Sequence, residues 1–299
     1  MLSARILASG NYYQPLQPMQ TLPSLTQALA EVCRHRYRRL DRFVQLAMVG
    51  AGRCAAVEAP DARCGLYLGS SQGPLSSNIQ VQEAVVAQGE LPAPFAFVNT
   101  LGSSAGFYVA DNLGLQTSAV CIGRTHAGLE AAMVPALVDL ETGVVEQALV
   151  GVVEEAALPL DAHRKRLGVA HDRELAEGSH WWLLQRAAAD AVGPRIEWHA
   201  DLDIAALAGV LDRRQATAIP LCMGQTLATD AIASVRAGFA QAETSATLAY
   251  HASVDAAWLA LRKDTCAVVT PGPETMLNLL FHRGAQAPIH GRFLIGDIP

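Results

Sequence analysis

The sequence predicts an α/β fold built in layers. Short apolar runs stopped by Gly or Pro alternate along the chain with segments of helical periodicity. The composition is 51% hydrophobic and 17% charged, the reverse of what a disordered chain needs. No repeat of roughly 20–50 residues recurs, which sets solenoids aside. The 299 residues suffice for one large domain or two packed halves.

Residues 4–9 read as a first strand ending at Gly10, followed by a Pro-rich stretch from Gln14 to Pro23. Ser24 is placed to N-cap a long helix that carries Leu25, Leu29 and Val32, then Leu40, Phe43, Val44 and Ala47 at helical spacing. Within it lies the one strongly basic cluster, Arg34 to Arg39. Cys64–Gly69 reads as a buried strand entering a Gly/Ser turn. Helices are expected at Ile79–Ala87 and Asn99–Val109, with a loop at Pro92–Phe95 between them. Ser118–Ile122 is strand-like, Ala127–Leu140 helical despite Pro135, and Val145–Val153 another buried strand. Ala162–Glu177 is charged and reads as loop; Trp181–Leu184 is a further apolar run, followed by a helical RAAADA. Gly193-Pro194 marks a boundary between residues 1–192 and 193–299. Beyond it, helical patterns at Ile204–Leu211, Ala231–Ala240 and Val254–Leu261 precede strands at Cys266–Thr270 and Leu277–Phe281.

Lys and Arg total 22 against 28 Asp and Glu, a net charge of −6 that argues against nucleic acid as a partner. No apolar run approaches the ~20 residues of a spanning helix, so no membrane role is expected. The opening MLSARILASG lacks a basic segment followed by a long apolar one. The six Cys are scattered without a CxxC pair, as in reduced cytoplasmic proteins, and a cytoplasmic location is expected. No HExxH or paired His spacing suggests a metal. The Gly/Ser segments 69–77 and 102–106 lack the endings of phosphate loops and read as close backbone packing.

Seven segments, in order, resemble the β-ketoacyl synthases of fatty acid and polyketide assembly. They are Arg39-Leu-Asp-Arg-Phe-Val-Gln-Leu-Ala47, Gly65-Leu-Tyr-Leu-Gly-Ser-Ser-Gln-Gly73, Phe95-Ala-Phe-Val-Asn-Thr-Leu-Gly-Ser-Ser-Ala-Gly106, Asp111-Asn-Leu-Gly-Leu115, Ala127-Gly-Leu-Glu-Ala131, Gln147-Ala-Leu-Val-Gly-Val-Val-Glu154 and Glu177-Gly-Ser-His-Trp-Trp-Leu-Leu-Gln185. Each is weak alone; their order is the signal. The resemblance implies the thiolase-like layered αβαβα fold, with two pseudo-symmetric halves and the second abbreviated. Tyr250–Leu261, the Cys266 strand and Pro271-Gly-Pro273 look like a compressed version of the family's ending.

A decarboxylating ketosynthase needs a Cys thiolate at a helix N-terminus and two imidazoles, or one and an amide, to stabilise the enolate and oxyanion. Anchored on Gly128-Leu129, the nucleophile position falls at Thr125, or at His126 if the turn shifts by one. The His-Gly-Thr-Gly-Thr loop is absent. The second His motif falls near Glu243-Thr244 when its helix is anchored on Trp258–Leu261. Cys121 is either a displaced nucleophile or, more plainly, a buried apolar thiol. His126 reads as a plug for the vacated acyl pocket or a His bonded to backbone, with residual acid/base work behind both. His251 reads mainly as a partly exposed helix residue.

What the resemblance implies is a non-catalytic subunit of the chain-length-factor type from a type II polyketide or aryl polyene system. It would pair with a catalytic ketosynthase and shape the acyl cavity, with Phe107, Tyr108 and Met133 as lining candidates. No cofactor of its own is expected; acyl chains would arrive on the phosphopantetheine of an acyl carrier protein. Arg34, Arg36, Arg38 and Arg39 are candidates for docking that acidic carrier, although a solvated face is the plainer reading of them and of His163–Arg166. Two alternatives stand: a divergent synthase or acyltransferase using Cys121 or Thr125, and a homodimeric carrier-binding scaffold.

Overall fold

The structure is a computed structural model and describes residues 1–16, 21–125, 128–187, 193–213, 221–223, 229–238, 242–244, 256, 259, 266–271 and 277–283. The first part runs β1 (Leu2–Leu16), α1 (Thr26–Val32), α2 (Arg42–Val57), β2 (Gly65–Ser70), α3 (Leu75–Gln82) with a π-helical turn (Glu83–Ala87), α4 (Pro94–Val98), α5 (Gly102–Leu113), β3 (Ala119–Gly123), α6 (Gly128–Thr142), β4 (Gln147–Glu154), α7 (Leu160–Leu167) and β5 (Leu175–Arg186). The second runs β6 (Arg195–Leu202), α8 (Ile204–Arg213), β7 (Leu221–Met223), α9 (Thr229–Gly238), β8 (Ala242–Thr244), β9 (Cys266–Pro271) and β10 (Leu277–Arg283).

The strands form one ladder in the order β3-β2-β4-β5-β1-β6-β10-β9-β7-β8. Outward from the β1–β6 seam, each side meets its fifth, fourth, second and third strand in turn, so the halves repeat one topology. In each, the second, third and fourth strands are parallel and the fifth is antiparallel to the fourth and first. The seam is short, pairing Leu2–Arg5 with Arg195–Trp198.

Alternating side chains assign the layers. On β4, Ala148, Val150 and Val152 face a core shared with Leu129, Met133, Leu137 and Leu140 of α6. That core also takes Ile196, Cys222, Cys266 and Val268 from the second half, with the helical residues Ala256 and Leu259. Leu149 and Val153 face the other way, into a core with α2 and α5. In the second half, Ala267 and Val269 pack outward against Leu207, Leu211 and Val235 of α8 and α9. The order is therefore helix, sheet, helix, sheet, helix: the αβαβα arrangement expected above.

Several boundaries differ from expectation. β1 extends past Gly10 to Leu16 because it pairs with β5 along nearly its whole length. Pro15 is tolerated there because β6 flanks β1 only as far as Arg5, leaving that side free of ladder bonds. The long helix is two helices, and the basic run Arg34–Arg39 lies in the loop between them, with Arg39 at φ 57°. Ser24 does not cap α1, whose N-cap is Leu25. The true side-chain cap is Asp41, whose Oδ1 accepts the Val44 N–H at 2.8 Å to start α2. Pro94 opens α4 inside the expected loop, its missing donor being harmless at a first helical position. α5 starts at Gly102 rather than Asn99. The charged segment from Ala162 carries α7 and the start of β5. His126, His251, and the segments after Arg186 and around Trp258 lie outside the described residues, wholly or for the most part.

Candidate functional site

The turn between β3 and α6 holds the expected nucleophile position. β3 ends at Gly123, Arg124 donates its backbone N–H to Ser70 O at 3.0 Å, and Thr125 is exposed. The start of α6 presses on the end of β2: a Cβ on Gly69 would stand 2.0 Å from Gly128 O. Only glycine permits that approach, and it fixes the turn beside the Gly/Ser loop after β2.

Two buried carboxylates hold that loop. Glu154 accepts the Ser71 N–H at 2.5 Å and the Ser70 hydroxyl at 3.3 Å. Glu155 accepts the Ser76 N–H at 2.6 Å. The Ser70 hydroxyl oxygen in turn takes the Gly73 N–H at 2.8 Å. The chain's own side chains already occupy these donors.

No described thiol is poised at the turn. Cys121 lies on β3 with its Sγ 2.9 Å from the place a Gly106 Cβ would take, so the thiol belongs to the contact with α5. Burial pushes its pKa up, with the Gly106 backbone opposing. Burial drives Cys54 and Cys64 up to about 12. These are thiols rather than thiolates at neutral pH, and a displaced Cys121 nucleophile finds no support in its surroundings. Among the described residues, no three His, Cys, Asp or Glu side chains are grouped to hold a metal.

The three cavity candidates do not converge. Phe107 is 64% exposed on α5, while Met133 is fully buried in the central layer. Tyr108 stands edge-on to Tyr37 at 5.7 Å and to Phe107 at 5.3 Å. The structure does bring Phe107 and Tyr108 to the same flank as the basic loop. That loop is tied to α5 by the Arg34 N–H on Asn112 Oδ1 at 2.8 Å and by the Tyr37 hydroxyl on Asp111 Oδ2 at 2.8 Å. Arg34, Arg36, Arg38 and Arg39 are all exposed on it. They belong to a pinned loop rather than to a helix face.

The sequence reading missed an apolar arm. Val86 is 83% exposed, Leu91 95% and Phe97 56%, with Phe95, Val98 and Leu101 also open to solvent. Beside α5, β3 is the last strand on its side of the sheet, carries no charge and leaves Val120 exposed. Such an edge carries neither of the devices, charge or Pro, that natural sheets use to block pairing with another strand. The signal was available: Leu91–Ala110 is a stretch of 20 residues without one charged side chain.

No protein-family model matches the sequence, and no curated protein sequence does. Solved structures do match in fold. The ishigamide ketosynthase/chain length factor aligns at TM-score 0.61 and 16% identity, over 95% of this chain and 100% of that one. A ketosynthase in complex with its chain length factor from Xenorhabdus doucetiae aligns at 0.54 and 12%, with the same coverage. A type II polyketide acyl carrier protein in complex with its ketosynthase aligns at 0.64 and 12%, again over 95% and 100%. At these identities the likeness is one of fold. The chain has the thiolase-like architecture of ketosynthases and chain length factors.

Proposed function

We propose that this thiolase-fold chain is a non-catalytic, chain-length-factor-like subunit that docks on an active β-ketoacyl synthase and helps shape its acyl cavity. One observation supports the reading: Gly69 lets the start of α6 close on the end of β2, and just before it the sequence carries Thr125, or His126 if the turn shifts by one, where the resemblance expects a thiol. A threonine hydroxyl has no means of becoming the thiolate this chemistry requires. The uncharged β3 edge and the apolar arm provide the surface for the synthase. Of the three cavity candidates, Phe107 is the one so exposed that it can reach across such an interface. The basic loop Arg34–Arg39 on the same flank suits an acidic acyl carrier protein.

Two measurements test this. Incubated with an acylated carrier protein, the pure chain should show no covalent adduct by intact mass. Co-expressed with candidate β-ketoacyl synthases, the chain should purify with one of them as a 1:1 complex. Charging the interface with Phe97→Asp and Val120→Asp should abolish the complex while leaving the chain folded. Phe107→Ala should lengthen the products of the complex. A stoichiometric acyl adduct lost on Cys121→Ala would establish an enzyme instead. Carrier binding without a synthase complex would establish the homodimeric scaffold.

A further inference from the structure

Glu155 lies just past the end of β4 and is 4% exposed. Its Oε1 takes the Ser76 N–H in the first turn of α3, and its Oε2 is buried with no hydrogen-bond partner. The groups around it are acidic. Asp41, at the start of α2, accepts from the Ser77 hydroxyl at 3.1 Å, so the same turn of α3 is tied to a second carboxylate. Glu177 of β5 also acts on Glu155 as a like charge. The cation of the cluster, Arg42, is engaged by both oxygens of Glu177 and by Pro23 O at 2.9 Å. Tyr12 of β1 stands beside Glu177 and Arg42, with a second cation, Arg53, 5.5 Å over its ring. Glu154 turns to Ser70 and Ser71 instead. An ionised Glu155 would therefore be a buried charge with one oxygen unpaired and two like charges nearby. What it anchors is the root of the apolar arm, since α3 leads through the π-helical turn into α4.

We propose that Glu155 is a proton-operated latch on that arm: protonated, it holds the first turn of α3, and ionised, it releases the turn and loosens residues 75–98. Burial moves the carboxyl up to about 8, the Ser76 N–H and hydroxyl opposing and Asp41 and Glu177 adding to the rise. A carboxyl raised in the folded state stabilises below its ordinary value near 4.5, and that contribution is lost as pH rises through about 8. The latch is closed in mildly acidic solution and open in mildly alkaline solution. The proposal rests on the reading above only for what the arm docks against.

Hydrogen exchange of the free chain tests it without any partner. Between about pH 6 and about pH 9, after correction for intrinsic rates, peptides covering residues 75–98 should lose roughly ten-fold in protection, and β4–β5 peptides should not. Glu155→Gln keeps an acceptor but cannot ionise, and should abolish the pH dependence with the arm still protected. Asp41→Asn retains the cap of α2 and removes a like charge, so it should move the midpoint to lower pH. A flat profile in the wild type, or an unchanged profile in Glu155→Gln, overturns the latch. If Glu155→Gln does not fold, an unmoved midpoint in Asp41→Asn overturns it. A working latch in a chain that binds no synthase would overturn the docking reading alone.

Discussion

Gly151→Ala should destabilise the protein by about 3 kcal/mol, at the upper end of what overpacking costs. Gly151 lies in β4 opposite Trp181 of β5, and the indole crosses it: a Cβ there would be 2.4 Å from three ring atoms. The ring cannot retreat. Trp181 is fully buried, its Nε1 donates to the Ser179 hydroxyl at 2.8 Å, and Gly50 of α2 closes its far edge, where a Cβ would stand 2.5 Å from Cδ1. The indole thus requires glycine on two different elements, and it locks α2 onto the sheet. Urea unfolding should show a lower midpoint at unchanged slope. Trp181→Leu in the Gly151→Ala background should recover part of the loss, giving a coupling energy of opposite sign. Gly102→Ala is the control: nothing lies within 4 Å of its Cβ position at the start of α5, so its midpoint should be unchanged or raised. A wild-type midpoint for Gly151→Ala would contradict the packing described.

Arg42→Met should cost about 3–5 kcal/mol at neutral pH, because it leaves the Glu177 carboxylate buried without its cation, with the Ala156 N–H still bonded to it. The guanidinium grips Glu177 with two donors, one at 2.7 Å, and reaches Pro23 O with the Nη2 that makes the other. Glu177 is fully buried, and burial pushes its pKa up while Arg42 opposes. Without Arg42 only the Ala156 N–H still opposes the rise, and the carboxyl favours its neutral form still more. The sign follows: a raised carboxyl stabilises at low pH and loses that contribution as pH rises. The deficit of Arg42→Met against wild type should therefore shrink on acidification toward the ordinary carboxylate range. Thermal unfolding of both proteins across that range measures it. Replacing both partners, as Arg42→Met with Glu177→Leu, should cost much less than either change alone.

How far the sequence disclosed all this depends on where each signal was physically written. β2, β4 and β9 were legible because strands buried on both faces are unbroken apolar runs: Leu149 and Val150 face different layers, but both faces are apolar. The break between α1 and α2 was not, because Leu25 to Ala47 keeps helical spacing across it. What interrupts the helix is distant: the Arg34 N–H meets Asn112, and Tyr37 meets Asp111. α7 has no helical signature in the sequence, since its one buried residue is His163 rather than an aliphatic side chain. The candidate site was legible as a departure, Thr125 where a thiol was expected. The apolar arm was not, because exposure is a property of the folded chain.

The mirrored order of strands about the β1–β6 seam has a practical corollary. The middle core is a room with one wall from each half, Ile6 and Val150 on one side and Ile196 and Val268 on the other. Severed near residue 192, each fragment would be left with a bare apolar wall facing water. Neither should persist alone in solution, and mixing them should restore a single cooperative unit. The stretch that carries the sequence resemblance is therefore not separable from the stretch that barely shows it.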